Sequence, residues 1–111
     1  MINVLIQKNA ENMQVTVRAE GHAMTADKGR DTVCAAVSIL VYGFAEEITK
    51  ADEKDFRYRH VEIGDEGTGY ARIFVACKNQ KVYQRVLYNL SPTERALAVL
   101  QENNPQAVRI Y

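Results

Sequence analysis

Apolar and polar residues alternate with two different periods along this chain, and the changes of period divide it into strands and helices. The run Ile2 to Gln7 is short, apolar and β-branched, which is typical of a buried strand. From Met13 to Ala19 apolar and polar residues alternate, which is the pattern of a half-buried strand. Because Asn9 to Asn12 has the composition of a turn, these segments together predict a β-hairpin.

The clearest helical pattern follows this hairpin. Six apolar residues recur at steps of three and four and therefore share one helical face: Val33, Val37, Leu40, Val41, Phe44 and Ile48. Asp31 is a suitable N-cap, so the pattern predicts a helix from Asp31 to Lys50. The preceding segment, Glu20 to Arg30, contains two glycines and few apolar residues, and we interpret it as an exposed, mobile loop of the kind that often carries function.

A second hairpin is predicted further along the chain. Phe56 to Ile63 alternates, Tyr70 to Cys77 predicts a second strand, and the glycine-rich segment Gly64 to Gly69 between them predicts a turn.

The rest of the chain predicts helical structure and one short strand. The helical pattern begins near Gln80, but Ser91 to Glu94 carries helix-start features: a Ser cap, Pro at the first position and Glu three residues after the cap. This segment predicts either two consecutive helices or one helix kinked near Pro92. Ala107 to Tyr111 predicts a final strand.

The predicted order is β-β-α-β-β-α-β, which indicates an α/β (α+β) fold. A small mixed sheet packed with helices, a two-layer sandwich, would bury these apolar faces. The length of 111 residues, of which 47% are apolar, is typical of one domain, here residues 1–111.

Charge and composition restrict the classes of function that fit this chain. The 14 Lys and Arg residues balance the 14 Asp and Glu residues without a basic stripe, so we expect no direct nucleic-acid partner. No signal peptide is visible, and the apolar run Val33 to Ala45 is too short to span a bilayer, so we expect a cytoplasmic protein without membrane contact. Two cysteines without a CxxC pair, with only two histidines, predict reduced thiols and no metal or cofactor.

Cys34 is the candidate nucleophile. It is the third residue of the predicted helix, beside the positive end of the helix dipole. The dipole contributes only about 0.3–1 kcal/mol, and a charged Asp31 would oppose it, whereas a cationic His22 would lower the pKa of the thiol more. Cys34 lies at an edge of the apolar face where a substrate can reach it, and Ser38 lies one turn further on the same side.

Each of these residues also has an ordinary structural interpretation. A cysteine on an apolar helix face is more often a buried small hydrophobe, and a loop histidine is usually solvated. Asp31 is fully explained as a helix cap. The residues taken singly therefore leave the function open.

The motif formed by these residues is more informative. Gly21-His22-Ala23, a short loop, and then Gly29-Arg30-Asp31-Thr32-Val33-Cys34-Ala35-Ala36-Val37-Ser38 resemble the signature of the ribosomal-processing cysteine protease family Prp. The resemblance extends over most of the chain, although its specificity lies in residues 21 to 38. The Ser91 to Glu94 segment departs from it, since it looks like an insertion.

The resemblance implies a specific function. Proteins of this family are small cytoplasmic homodimers that remove a short N-terminal extension from large-subunit ribosomal protein number twenty-seven, after an apolar segment that ends in an aromatic residue. By motif position, Cys34 is the nucleophile and His22 the general base. Asp31 and Ser38 would shape the site, while Gly21, Ala23 and Gly29 belong to the mobile loop. Two alternatives remain at this stage: a non-catalytic module that binds ribosomal proteins, and a thiol redox sensor.

Overall fold

Five strands and two long helices follow one another in the predicted order β-β-α-β-β-α-β. The structure is a computed structural model, and it describes residues 1–21, 32–64 and 70–111. Its elements are β1 (Ile2–Asn9), β2 (Gln14–Gly21), α1 (Thr32–Lys50), a 3-10 turn (Glu53–Asp55), β3 (Phe56–Ile63), β4 (Ala71–Cys77), α2 (Gln80–Asn103) and β5 (Val108–Ile110). The predicted fold class, a mixed α+β arrangement with one sheet, is confirmed.

The five strands form one sheet with the order β3-β4-β2-β1-β5. The two hairpins and the β2–β4 pair are antiparallel, whereas β5 is parallel to β1, so the sheet is mixed as predicted. Along one row across the sheet, Ile6 pairs with Val17, Val17 with Ile73, and Ile73 with Val61. This row of apolar residues forms the middle of the sheet's buried face.

Strand alternation directs every second side chain toward the helices, because successive residues of a strand point to opposite faces. The buried face carries Val4, Val15, Val17, Ile73 and Val75, each less than 1% exposed. Both helices contribute to the same core cluster: Val37, Val41, Phe44 and Ile48 from α1, and Val82, Tyr83, Val86, Leu90 and Leu97 from α2. The helices therefore cover one face of the sheet, and within residues 1–21, 32–64 and 70–111 no helix covers the opposite face.

Helix α1 is apolar enough over its 19 residues to pass as a membrane span by length and composition. Its apolar residues nevertheless include Val33, Val37, Val41 and Phe44, all of which are buried in the core of this chain. A core helix packed on a sheet accounts for that composition.

The C-terminus of α1 is held by Arg59 of β3. The guanidinium Nη1 donates to the carbonyl oxygens of Ile48 at 3.0 Å, Ala51 at 2.8 Å and Thr49 at 3.4 Å. These are among the carbonyls that a helix end leaves without an intrahelical partner, and a cation also favours the negative end of the helix dipole.

Helix α2 is continuous through Pro92, so the alternative of two consecutive helices is wrong. Asn79 caps it, with the Asn79 side chain accepting from the backbone N–H of Val82 at 2.9 Å. Burial of Leu90 and Leu97 on either side of the proline gives the physical reason, since both residues face the same core. The packing of that face outweighs the local helix-start features of Ser91 to Glu94.

Strand β5 closes the edge of the sheet beside β1. Ile2 donates to the carbonyl of Ala107 at 2.8 Å, and Tyr111 donates to the carbonyl of Val4 at 2.8 Å. The outward N–H groups of β5 are also bonded, because that of Ile110 donates to Gln101 Oε1 at 2.6 Å and that of Val108 to the carbonyl of Asn104 at 3.1 Å. An edge covered in this way is protected from pairing with another chain.

Candidate functional site

Cys34 lies in the first turn of α1, as its third residue. Its side chain is half-buried and packs at the rim of the core cluster. The backbone N–H groups of Thr32, Val33 and Cys34 belong to the first turn, whose N–H groups have no partner inside the helix. The sulfur is thus placed beside the positive end of the helix dipole, which favours a negatively charged group.

Ser38 follows Cys34 by one turn and is also half-buried. The buried stripe of α1 runs through Val37 and Val41, so Cys34 and Ser38 border that stripe on the same side. The predicted position of both residues at the edge of the apolar face agrees with this arrangement, while their roles remain predictions.

Gly21 ends β2 in a conformation that favours glycine. Its φ angle is +102°, and it pairs with Ile2 across the hairpin. A Cβ atom at this position would lie 2.3 Å from the carbonyl oxygen of Met1, closer than any real side chain approaches. The sequence suggested a glycine that lets the loop move, but the backbone conformation and this close approach explain the residue without loop motion.

Four of the predicted site residues, His22, Ala23, Gly29 and Asp31, lie outside the described residues. Gly21 and Thr32 are the described residues that flank this segment. The pairing of His22 with Cys34 and the capping of α1 by Asp31 therefore stay predictions.

The second thiol has a different environment. Cys77 ends β4 with no exposed surface, and this burial raises the pKa of its thiol, although Arg57 and Arg85 act in the opposite direction. Neither cysteine forms a disulfide. Because the thiolate is the reactive form, Cys77 is poorly suited to nucleophilic chemistry, whereas Cys34 reaches the surface.

No cluster of three His, Cys, Asp or Glu side chains suited to a metal ion is found within residues 1–21, 32–64 and 70–111. His60, the histidine of these ranges, lies on β3 with its Nε2 atom 3.3 Å from Glu62 Oε2. It is on the face of the sheet turned away from α1, so it is not part of the Cys34 site.

The chain matches one protein family over nearly its whole length. The family model described as Cysteine protease Prp matches residues 1–109. No curated protein is matched by the chain.

Several solved structures share the fold. An essential ribosomal processing protease Prp from Staphylococcus aureus, in complex with a covalently linked product peptide, is 26% identical, with a TM-score of 0.74 and coverage of 99% of this chain and 97% of that one. The same protease in complex with a substrate peptide is 21% identical, with a TM-score of 0.68, covering 100% of this chain and 98% of that one. SMU.848 from Streptococcus mutans is 24% identical, with a TM-score of 0.71 and coverage of 99% and 91%.

Proposed function

Because this chain belongs to the Prp family of cysteine proteases, we propose that it is an endopeptidase in which Cys34 is the nucleophile and His22 its proton-transfer partner. The observation that carries this proposal is the position of Cys34 in the first turn of α1, at the rim of the core. A cysteine there can reach a substrate, whereas Cys77 is enclosed.

The proposed reaction is an acyl transfer. His22 accepts the proton of the Cys34 thiol, and the thiolate attacks the carbonyl carbon of the scissile peptide bond. The C–N bond then breaks as His22 returns the proton to the leaving amine, which yields a thioester between Cys34 and the N-terminal part of the substrate. Water, deprotonated by His22, hydrolyses this thioester and regenerates the thiol.

The first turn of α1 supplies a second part of the mechanism. During attack the carbonyl oxygen becomes negatively charged, and N–H groups at a helix N-terminus are suited to stabilise it. Removing one such donor typically slows an enzyme by about 100- to 1,000-fold. We assign this role to the backbone of the first turn, including the N–H of Cys34, with Asp31 and Ser38 shaping the surroundings. Ala23 and Gly29 belong to the loop that we propose to close over the substrate, and Gly21 ends the strand that leads into it.

For the substrate we propose the N-terminal extension of large-subunit ribosomal protein number twenty-seven. Two findings support this choice: the motif from Gly21 to Ser38, and the resemblance to a ribosomal processing protease at 26% identity. The same motif supports a homodimer in the cytoplasm as the working form of the enzyme.

The test is cleavage of a precursor peptide that carries an apolar, aromatic-ending segment before the cut. We expect the wild type to cleave it, Cys34→Ala to be inactive, and His22→Ala to lose at least about 100-fold in kcat/KM, as expected for loss of a general base. Mass spectrometry of the quenched wild-type reaction should show the peptide's N-terminal part attached to Cys34. Full activity of His22→Ala would contradict the assigned base.

The same experiment separates the two alternatives. If the protein is a binding module, the wild type and Cys34→Ala should bind the peptide equally well, and neither should cleave it. A redox sensor needs a resolving thiol, and the enclosed, raised-pKa Cys77 is a poor one.

A further inference from the structure

In the described part of the chain no helix covers the sheet face opposite α1 and α2, and the chemistry of this face is not explained by the protease site. We define this outer sheet face by the side chains that alternate away from the core. Its central members are Leu5 on β1, Thr16 and Arg18 on β2, Arg72 and Phe74 on β4, and Tyr58, His60 and Glu62 on β3. Both cationic and aromatic groups are therefore present on one surface.

Arg18 and Arg72 are directly opposite each other on neighbouring antiparallel strands. Side chains in this relation have Cβ atoms about 5 Å apart, and like charges placed so are destabilising. Within the described part of the chain, neither guanidinium forms an ion pair with a carboxylate. Two adjacent guanidinium groups that lie outside ion-pairing distance of any described carboxylate favour binding of an anion between them.

Two carboxylates, Glu20 on β2 and Glu62 on β3, share this face with the pair, and neither forms an ion pair with Arg18 or Arg72. Glu62 is opposite Arg72 on β3, but its carboxylate lies 3.3 Å from His60 Nε2. Arg72 instead extends over the ring of Tyr70, with its guanidinium carbon 5.9 Å from the ring centroid. Both guanidinium groups thus keep hydrogen-bond donors for an external partner.

Aromatic rings lie next to the arginine pair. Phe74 follows Arg72 by two residues on the same face of β4, and Tyr58 of β3 meets it with ring centroids 5.7 Å apart. Tyr58 is 56% exposed, so its ring is accessible from solvent. An exposed aromatic ring on a sheet, next to arginines, forms a surface on which a nucleic-acid base stacks while phosphates bind the arginines.

We propose that the outer sheet face binds single-stranded RNA, with Arg18 and Arg72 contacting the phosphates and Tyr58 stacking on a base. This differs from the expectation drawn from the balanced charge of the whole chain, because net charge says nothing about the local pairing of two arginines. The surface lies on the opposite side of the sheet from α1, so its function is independent of the Cys34 site.

The probe is a fluorescein-labelled twelve-nucleotide oligouridine, measured by anisotropy with the full-length wild-type protein across a series of salt concentrations. Arg18→Gln with Arg72→Gln should weaken binding by about tenfold or more, and should reduce the dependence of log K on log salt by about 1.4, since each phosphate contact to a single strand contributes roughly 0.7. Tyr58→Leu should weaken binding by about tenfold, through lost stacking, with the slope unchanged.

The matched control is Lys81→Gln with Arg95→Gln, which removes the same charge from exposed positions on α2. This control should bind like the wild type, and all variants should cleave the precursor peptide at the wild-type rate. Circular dichroism melting would verify folding, and the double arginine variant should melt no lower than the wild type because a like-charge pair is removed.

Three results would overturn the proposal. The first is absence of RNA binding by the wild type at low salt. The second is a loss of RNA affinity in the α2 control as large as that in the double arginine variant. The third is displacement of the RNA by millimolar inorganic phosphate or by polyglutamate at the same concentration of charges, which would reduce the surface to a general anion site. Loss of peptide cleavage in Cys34→Ala leaves RNA binding untouched, so the two proposals fail separately.

Discussion

At the scale of single residues, Gly21 and Gly43 differ in how much a glycine is required at their positions. Gly21 has a φ angle of +102° and faces the Met1 carbonyl, whereas Gly43 lies exposed in α1 with no atom within 4 Å of a Cβ at that position. The same substitution by alanine should therefore have opposite effects at the two positions.

We expect Gly21→Ala to lower the free energy of unfolding by at least about 1–2 kcal/mol, the usual cost of a left-handed conformation, with the clash added to it. Gly43→Ala should raise it by about 0.5–1 kcal/mol, since alanine restricts the unfolded chain and favours the helix. Urea denaturation of both variants measures the two changes. If Gly21→Ala left the free energy of unfolding unchanged, the backbone at the end of β2 would be able to shift and accommodate the added Cβ atom.

The two thiols should react at different rates. Burial raises the pKa of the Cys77 thiol and shields it, whereas Cys34 reaches the surface. Brief alkylation of the native protein with iodoacetamide, followed by peptide mass spectrometry, should modify Cys34 and leave Cys77 intact. In Cys34→Ala we expect no modification until the protein is unfolded, and rapid labelling of Cys77 in that variant would contradict the assigned difference.

At the scale of elements, the strands and α1 could be predicted because burial follows a simple period in each of them. Val15, Val17 and Ala19 alternate with polar residues, and all three are buried. Helix α2 was harder, because Pro92 is a local signal whereas the burial of Leu90 and Leu97 depends on a sheet far away in sequence. The short 3-10 turn from Glu53 to Asp55 carries no periodic pattern and was not predicted.

The site was predictable to the same extent. Periodicity located Cys34 in the first turn of a helix and Ser38 one turn later, because helical spacing determines which residues share a side. The contact between Gly21 and the Met1 carbonyl could not be read from the sequence, since it depends on the register of β1 against β2.

The hydrogen bonds from Arg59 to the carbonyl groups at the end of α1 give a prediction at this scale. Arg59→Ala should lower the free energy of unfolding by about 1.5–3 kcal/mol, the range for hydrogen bonds to a charged group. Arg59→Lys keeps the charge but not the planar group that reaches Ile48 and Ala51 together, so it should fall between the alanine variant and the wild type. Equal stability of all three proteins in urea would show that these hydrogen bonds from Arg59 do not stabilise the fold.

At the scale of the whole molecule, Asp55 joins parts of the chain that are distant in sequence. Its carboxylate, 16% exposed, binds Arg85 of α2 and lies 3.2 Å from Lys78, just after β4. The hydrogen bond from Arg85, assisted by Lys78, holds the pKa of Asp55 below its ordinary value of 3.8 despite the opposing effect of desolvation.

This direction of shift determines how stability changes with pH. A lowered pKa in the folded state means that the ionised carboxylate stabilises the fold above pH 3.8, and that this contribution is lost as the pH falls below it. Asp55→Asn should therefore be less stable than the wild type at pH 6, and the difference should shrink as the pH is lowered toward 2.

Urea unfolding at pH 6, 4 and 2 measures the difference in stability between Asp55→Asn and the wild type. Glu53→Gln is the control, because Glu53 is an exposed carboxylate in the same 3-10 turn. A pH-independent difference between Asp55→Asn and the wild type would mean that the interaction does not depend on ionisation.

The pairing of β5 with β1 has a consequence during protein synthesis. Strand β1 is made before β5, so its hydrogen bonds to Ala107 and Tyr111 cannot form until β5 has left the ribosome. Until then the edge of β1 that faces β5 is unpaired. Ile2, which pairs with Gly21 at the end of β2, is then hydrogen-bonded to β2 alone. The end of β2 that leads toward the Cys34 site thus reaches its final support only after β5 has been made.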